Sequence, residues 1–303
     1  MKSRVITQRE LHNQSAAVLR EVEAGRTIIV MRNGVCCMSH SIEPSRLLWA
    51  VALVALGITG IVNGEFALVW QHVPAHLPHR TAWAYVCGLA EVLAGLGLLW
   101  RATVRSACRF LLPYMLIWLL WLEVPLVFQT PGDTGSWGSV GEIAIITAGV
   151  LSLFARHGTP AGSGGALMSR RAKLAGRWLL ALALPMIGIE VLVPTTSIHL
   201  PPWIGWLPHS VAWVDLSGLG SVAAGLGILF GVWPRLATHA EAAMLAVITV
   251  WFWGPWVHTG HTATTAFVIS TLIAAGVWLV GDTYAGVGWL AVPGPLWRHR
   301  LDD

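Results

Sequence analysis

The sequence predicts an all-α membrane protein of eight transmembrane helices, arranged as two parallel four-helix repeats and preceded by a small α/β segment. The first observation behind this is composition. Of 303 residues, 55% are hydrophobic and 11% charged, with a mean hydropathy of +0.65, where a soluble domain carries about 25% charged residues. The second is an internal repeat. Leu77–Trp83 reads LPHRTAW, and 130 residues later Leu207–Trp213 reads LPHSVAW; at the same offset Gly88 meets Gly218, Gly95 meets Gly225, Arg105 meets Arg235 and Pro125 meets Pro255. The third is a change of character near residue 46. The polar, basic stretch Met1–Arg46 gives way to almost continuous apolar sequence.

A membrane-spanning helix needs about 20 mostly apolar residues. The segments that qualify, or nearly do, are Leu47–Val69, Trp83–Trp100, Phe110–Phe128, Val140–Phe154, Trp178–Val193, Val211–Trp233, Ala240–Val257 and Ala263–Val280. Arginine and lysine set the expected orientation. Arg46, Arg101, Arg105, Arg109, Arg156, Arg170, Arg171, Lys173, Arg177, Arg235, Arg298 and Arg300 all fall on one side, and the opposite loops hold only Arg80. Both termini are therefore expected in the cytoplasm, with the chain in the cell (inner) membrane. Four spans per repeat is an even number, so the two halves share one orientation, as parallel repeats do. The expected division is a segment at 1–42, repeats at 46–157 and 170–285 joined by a Gly-rich linker at 158–169, and a cytoplasmic tail at 286–303. Trp70, Trp83, Trp203, Trp206, Trp213 and Trp256 mark outer helix ends, and Trp49, Trp100, Trp178 and Trp233 mark inner ends, which reads as an interfacial belt. Four cysteines, two of them adjacent at Cys36-Cys37, form neither a disulfide framework nor a zinc pattern. Lys2 and Arg4 lead into polar sequence rather than an apolar core, so no secretory signal is expected.

Six acids fall inside or at the ends of the predicted spans: Glu65, Glu91, Glu123 and Glu142 in the first half, Glu190 and Asp215 in the second. A charged carboxylate at mid-helix costs about 2.5–3.5 kcal/mol on insertion scales, so such groups face a bundle interior, a partner or water. The expected site is a polar pocket in the first half, open to the outer side. Glu91 and Glu65 are its deep acids, with Glu123 and His79 at its mouth, because buried carboxyl and imidazole groups suit proton transfer. The repeat bears on this: one repeat on, Glu91 becomes Ser221, Glu123 becomes Trp253 and Tyr85 becomes Asp215. The plainer alternative is that the acids pair with Arg80 or with outer backbone groups and serve folding. His258-Thr-Gly-His261, with His199 and His209 in the neighbouring loop, lacks the third ligand that a metal centre needs. No metal site is expected, and no haem, whose histidines would lie inside spans.

Span two reads Gly88-Leu-Ala-Glu91-Val-Leu-Ala-Gly95-Leu-Gly-Leu-Leu and is followed by Arg105-Ser-Ala107; its copy runs from Gly218 through Gly225 to Arg235 and Ala237. A glycine-rich helix with an internal acid, a Leu/Gly run and then a cytoplasmic Arg and Ala resembles the DoxX-like family of four-helix membrane proteins. The likeness covers about Leu47 to Val280 and is best over span two. That family includes a small subunit of thiosulfate:quinone oxidoreductases, so the resemblance implies a quinone as cofactor and a redox partner subunit. Two copies in one chain depart from its single-bundle pattern.

The first forty residues differ. Val5-Ile6-Thr7 is strand-like, Ala16, Leu19, Val22 and Glu23 share helical spacing, Gly25 ends that helix, and Thr27–Met31 alternates toward a hairpin turned by Arg32-Asn33-Gly34. Thr7-Gln-Arg-Glu-Leu11, Asn13, Ser15, Leu19, then Val22-Glu-Ala-Gly and Arg32-Asn-Gly resemble the N-terminal part of Phd/YefM-type antitoxins. The resemblance implies dimerisation and DNA binding, with Arg9 and Arg32 touching the nucleic acid. The toxin-wrapping tail of that family is replaced here by membrane sequence, so no toxin partner is expected. A start at Met38 would make the first 37 residues a fusion remnant.

Three functions are expected from these features. They are a quinone-linked membrane redox subunit with an acidic outer pocket, a small-molecule or proton-coupled transporter, and a membrane-tethered DNA-binding autorepressor. Walker loops, dinucleotide fingerprints and nucleophile elbows are absent from the sequence, which removes kinase, dehydrogenase and hydrolase chemistry.

Overall fold

The computed structural model describes residues 3–7, 13, 15–23, 27–31, 42–67, 70–74, 76–160, 162–193 and 210–298. The chain forms two units, Met1–Ile42 and Glu43–Asp303. In the first, strand β1 (Ser3–Thr7) and strand β2 (Thr27–Met31) flank helix α1 (Ser15–Glu23). The strands pair in parallel, with Ser3 opposite Thr27 and Thr7 opposite Met31. Among the described residues the partner of β2 is β1, and a parallel pair is joined by a crossover, which α1 provides. The predicted turn at Arg32-Asn33-Gly34 lies outside the described residues.

Among the described residues the second unit holds eight helices long and apolar enough to cross a membrane. They are α2 (Pro44–Asn63), α3 (Arg80–Leu99), α4 (Val104–Gln129), α5 (Thr134–Gly158), α6 (Ser163–Leu192), α7 (Ser210–Phe230), α8 (Pro234–Trp256) and α9 (His261–Tyr284). Boundaries moved where capping decided them. Span one ends at Asn63 rather than Val69, because Gly64 takes the left-handed conformation (φ 63°) that closes a helix. Glu65 therefore stands beyond the helix. Span four begins at Thr134, where the Asp133 carboxylate accepts from the backbone N–H groups of Gly135 (3.3 Å) and Ser136 (3.0 Å). The expected linker at 158–169 is shorter than predicted, because α6 already starts at Ser163 and its 30 residues carry Arg170, Arg171, Lys173 and Arg177. The expected tail at 286–303 is packed as far as Arg298. Trp289 stacks under Arg235 (4.3 Å), Trp297 meets Phe230 edge-on (5.5 Å), and the carbonyl of Ala291 accepts from Trp233 N–H at 3.0 Å.

Small residues set the helix seams. A Cβ on Gly57 would come within 2.4 Å of the Gly88 carbonyl oxygen, and a Cβ on Gly188 within 2.6 Å of the Gly218 carbonyl oxygen. The α2–α3 and α6–α7 pairs are thus built by the same close approach, in which small residues let backbones touch. Both halves also carry a π-helical stretch in their third span, at Trp118–Glu123 and Thr249–Trp253.

The halves do not separate into two bundles. The fourth helices, α5 and α9, pack on each other and are the most buried, at 83% and 67% of their spanning windows. Each also takes the first helix of the other half: α9 lies along α2, and α5 along α6. Gly149 of α5 faces Gly276 of α9, where an added Cβ would fall 2.8 Å from a backbone carbon. At the arginine-bearing end the interleaving is tied by polar contacts. Ser45 Oγ donates to Asp282 (2.6 Å), Arg156 lies 3.5 Å from Glu43 and 3.8 Å from Asp282, and Arg177 Nε donates to Thr283 Oγ1 (3.0 Å). Hydrogen bonding from His157, followed by the charge of Arg156, holds the Glu43 carboxyl down at about 2. The tryptophan belt is only partly as expected: Trp83, Trp100, Trp213 and Trp233 are exposed, but Trp49 (0%) and Trp70 (7%) are core residues.

The glycine seams make a direct prediction. Gly57→Ala and Gly188→Ala should each cost about 1–3 kcal/mol, the usual penalty for overpacking. Gly132→Ala, with nothing near its side-chain position, should be neutral. Thermal unfolding of the purified protein in detergent measures all three.

Candidate functional site

Glu91 sits midway along α3 on the same face as Gly88 and Gly95, the face that packs against α2, and is 3% exposed. Its Oε1 accepts two hydrogen bonds, from Tyr114 OH of α4 at 2.8 Å and from Gln71 Nε2 at 3.0 Å. Gln71 belongs to the connection between α2 and α3, which does not stay at the surface. Phe66, Ala67, Trp70 and Gln71 are all buried. Gln71 Oε1 in turn accepts from Ala67 N–H at 2.9 Å, and Phe66 packs edge-on against Trp118 at 5.9 Å.

The residues on either side of Gln71 do similar work. His72 Nδ1 lies 3.1 Å from Oε2 of Glu123, and its backbone N–H lies 3.4 Å from Oε1. Glu123 is fully buried (0% exposed) and ends the π-helical turn of α4. Such turns cluster at functional sites. The Trp70 indole lies beside the Glu142 carboxylate of α5. Three consecutive residues, Trp70-Gln71-His72, thus each engage one carboxylate, and the carboxylates come from three helices. A carboxylate in low dielectric demands such partners, since one left without them is costly.

Beside Glu91 is a small cavity of about 10 Å³, room for the centre of roughly one water molecule. Thr59, Glu65, Cys87, His261 and Thr265 line it with Glu91. His261 and Thr265 belong to α9, so the far half closes the site. His261 Nε2 lies 3.4 Å from the Phe66 carbonyl oxygen, while its buried Nδ1 has no hydrogen-bond partner.

Of the predicted site residues, the structure gathers Glu91 and Glu65 at one cavity and buries Glu123 in the adjoining cluster. Glu65 is an exposed residue at the rim rather than a deep acid. His79 does not join them. It is exposed, caps α3 in the left-handed conformation (φ 53°), and the imidazole at Glu123 is His72. Arg80 stands over the Phe66 ring at 5.5 Å. Asp215 is exposed on α7. Sequence reasoning missed Gln71, His72 and Tyr114 as partners, and also Glu241 of α8, which is 3% exposed and accepts from Ser221 Oγ at 2.7 Å. One signal was available. At the offset of 130 residues Trp70-Gln71-His72 meets Leu200-Pro201-Pro202, so the Gln and His donors disappear together with the acids at 91 and 123. Among the described residues no group of three or more His, Cys, Asp or Glu could hold a metal ion. Arg9, Arg32, His199 and His209 lie outside the described residues.

Comparison of the chain with family models, with curated proteins and with solved structures returns no match.

The His72–Glu123 pair has a pH signature. Hydrogen bonding to Glu123 raises the His72 ring above its ordinary value of 6.5. A group whose folded value is raised stabilises fully below the unfolded value and loses that contribution as pH rises through the folded one. The melting temperature should therefore fall as pH is taken upward from about 6.5, and His72→Gln should flatten that slope. A pH series of thermal melts on both proteins would reveal it; parallel curves would remove the pair as a source.

Proposed function

We propose that this chain is a DoxX-like, duplicated multi-pass protein of the cell membrane, both termini cytoplasmic, that couples proton uptake at its buried carboxylates to the passage of a small solute. The observation that carries this is the contact of Trp70-Gln71-His72 with Glu142, Glu91 and Glu123. Hydrogen bonds to an ionised carboxylate are roughly twice as strong as neutral ones. Protonation of these acids loosens the connection that covers them, and deprotonation draws it back. The water-sized cavity between Glu91 and exposed Glu65 supplies a route for the proton. The polar ties among Glu43, Arg156 and Asp282 close the opposite end, as alternating access requires of one end at a time.

A second reading is a quinone-linked membrane redox subunit. It is favoured by Tyr114 and Glu91, a hydroxyl and a carboxyl in hydrogen-bonded contact inside the spans, where they would hand protons to a reduced ring. It ranks second because the cavity beside Glu91 takes about one water and not a quinone ring.

Sealed vesicles containing the purified protein test the first reading. An imposed pH gradient should drive accumulation of at least one member of a panel of labelled amines, amino acids, sugars and carboxylates. Glu91→Gln should abolish the gradient-driven part while the protein still inserts and migrates as a single species. Uptake indifferent to the gradient across the whole panel would rule the reading out. Quinone retained through purification would move the weight to the second.

A further inference from the structure

The second half contains a larger cavity, about 220 Å³, that the Glu91 site does not use. It occupies the equivalent place: Ile187, Gly218 and Ser221 line it, where Leu56, Gly88 and Glu91 line the first. Its extra room follows from the sequence. Ser221 stands where the first half has Glu91, and Met244 where it has Tyr114, and each is the smaller side chain.

The lining limits what the cavity accepts. Two carboxylates border it, Glu142 from α5 and Glu190 from α6, and among the described residues no lysine or arginine does. The Glu190 carboxylate has a built seat. It lies over Gly138, one turn before Glu142, where an added Cβ would fall 1.6 Å from Glu190 Oε2. Ser217, Thr249 and Ser270 add hydroxyls, and Ile187, Leu245, Ile248 and Ile273 make most of the wall apolar. Two acids facing one cavity inside a membrane call for a cation to offset them. A bare metal ion fits poorly, because hard cations take about six or more oxygens at about 2.0–2.6 Å and the wall is mostly hydrocarbon. A cation with an apolar body matches both features, and the Trp253 indole on the same wall is a surface on which an ammonium rests favourably. The volume lies below the ~300 Å³ of drug-sized pockets, so the ligand is small.

We propose that the cavity between α5, α6, α7, α8 and α9 binds a small organic ammonium ion, with Glu142 and Glu190 facing its charge and the isoleucine and tryptophan wall holding its hydrocarbon. The site stands on its own geometry and does not require that proton coupling occurs. If coupling does occur, Glu142 is the shared element, since it both borders this cavity and lies beside Trp70.

Isothermal titration of the full chain in lipid nanodiscs tests this with benzylammonium chloride and benzyl alcohol, a charged and an uncharged molecule of nearly the same shape. Benzylammonium should bind at least about tenfold more tightly than the alcohol, a difference of roughly 1.4 kcal/mol. Glu142→Gln and Glu190→Gln should each remove most of that advantage. Gly138→Ala, which displaces the Glu190 carboxylate, should weaken the amine more than the alcohol. Gly132→Ala, at a position that lines neither cavity, should leave amine binding unchanged. Equal binding of amine and alcohol to the unaltered chain would overturn the proposal whether or not the variants fold. Amine binding without gradient-driven uptake would keep this site and remove the transport reading.

Discussion

Carboxylates placed among membrane-spanning helices need partners, and in this protein much of the first half is arranged to supply them. Glu91, Glu123 and Glu142 rise from three helices, and a single three-residue stretch of connecting chain reaches all of them. For Trp70, Gln71 and His72 to do so, the connection has to fold inward. That fixes the burial of Phe66 and Ala67, the left-handed turn at Gly64 and the left-handed conformation of His79 where the chain enters α3. The π-helical turn of α4 belongs to the same arrangement, because one extra residue in that turn changes the face on which Glu123 emerges. These features are consequences of satisfying buried charge as much as of packing.

Glycine and alanine provide the space. The seams at Gly57–Gly88 and Gly188–Gly218 bring helix backbones into contact, and the Gly149–Gly276 contact does the same for α5 and α9. In a membrane the hydrophobic effect does not distinguish one apolar face from another, so close approach and polar ties decide which helices pair. That explains how the two halves interleave. The fourth helix of each half pairs with the first helix of the other, Ser45, Glu43 and Arg156 tie one such junction to Asp282, and Arg177 of α6 reaches Thr283 of α9 within the second half.

The spans were legible because composition and length determine them, and Gly88 and Gly218, which recur at one offset in the sequence, both lie at helix seams. Glu91 was legible as an isolated acid in a glycine-rich helix. Its partners were not. Gln71 and His72 lie in a stretch with no periodicity, and nothing local separates a connection that turns inward from one that stays at the interface. Trp49 and Trp70 misled for a related reason: tryptophan near a helix end is read as interfacial, but Trp49 packs beside the α5–α9 seam and Trp70 is drawn in by Glu142. The pairing of β1 with β2 was hidden by Asn33-Gly34, a local hairpin signal that says nothing about a strand more than twenty residues earlier. The exchange of fourth helices is a choice between two nearly identical partners, and no single helix carries that information.

Two cavities lie at matching positions of the two halves, and their side chains differ in opposite directions. The first half filled its cavity with a carboxylate, a phenol and an inward-folded connection, leaving space for about one water. The second replaced the carboxylate and the phenol with Ser221 and Met244, leaving a chamber of about 220 Å³. Had the fourth helices stayed within their own halves, these two sites would be separate. Because α5 lies against α6, Glu142 borders the chamber of the second half while Trp70 beside it belongs to the connection that reaches Glu91 and Glu123 in the first. A change of charge at Glu142 is therefore felt on both sides without any long chain of intermediaries, which is the least that coupling between a proton site and a ligand site requires.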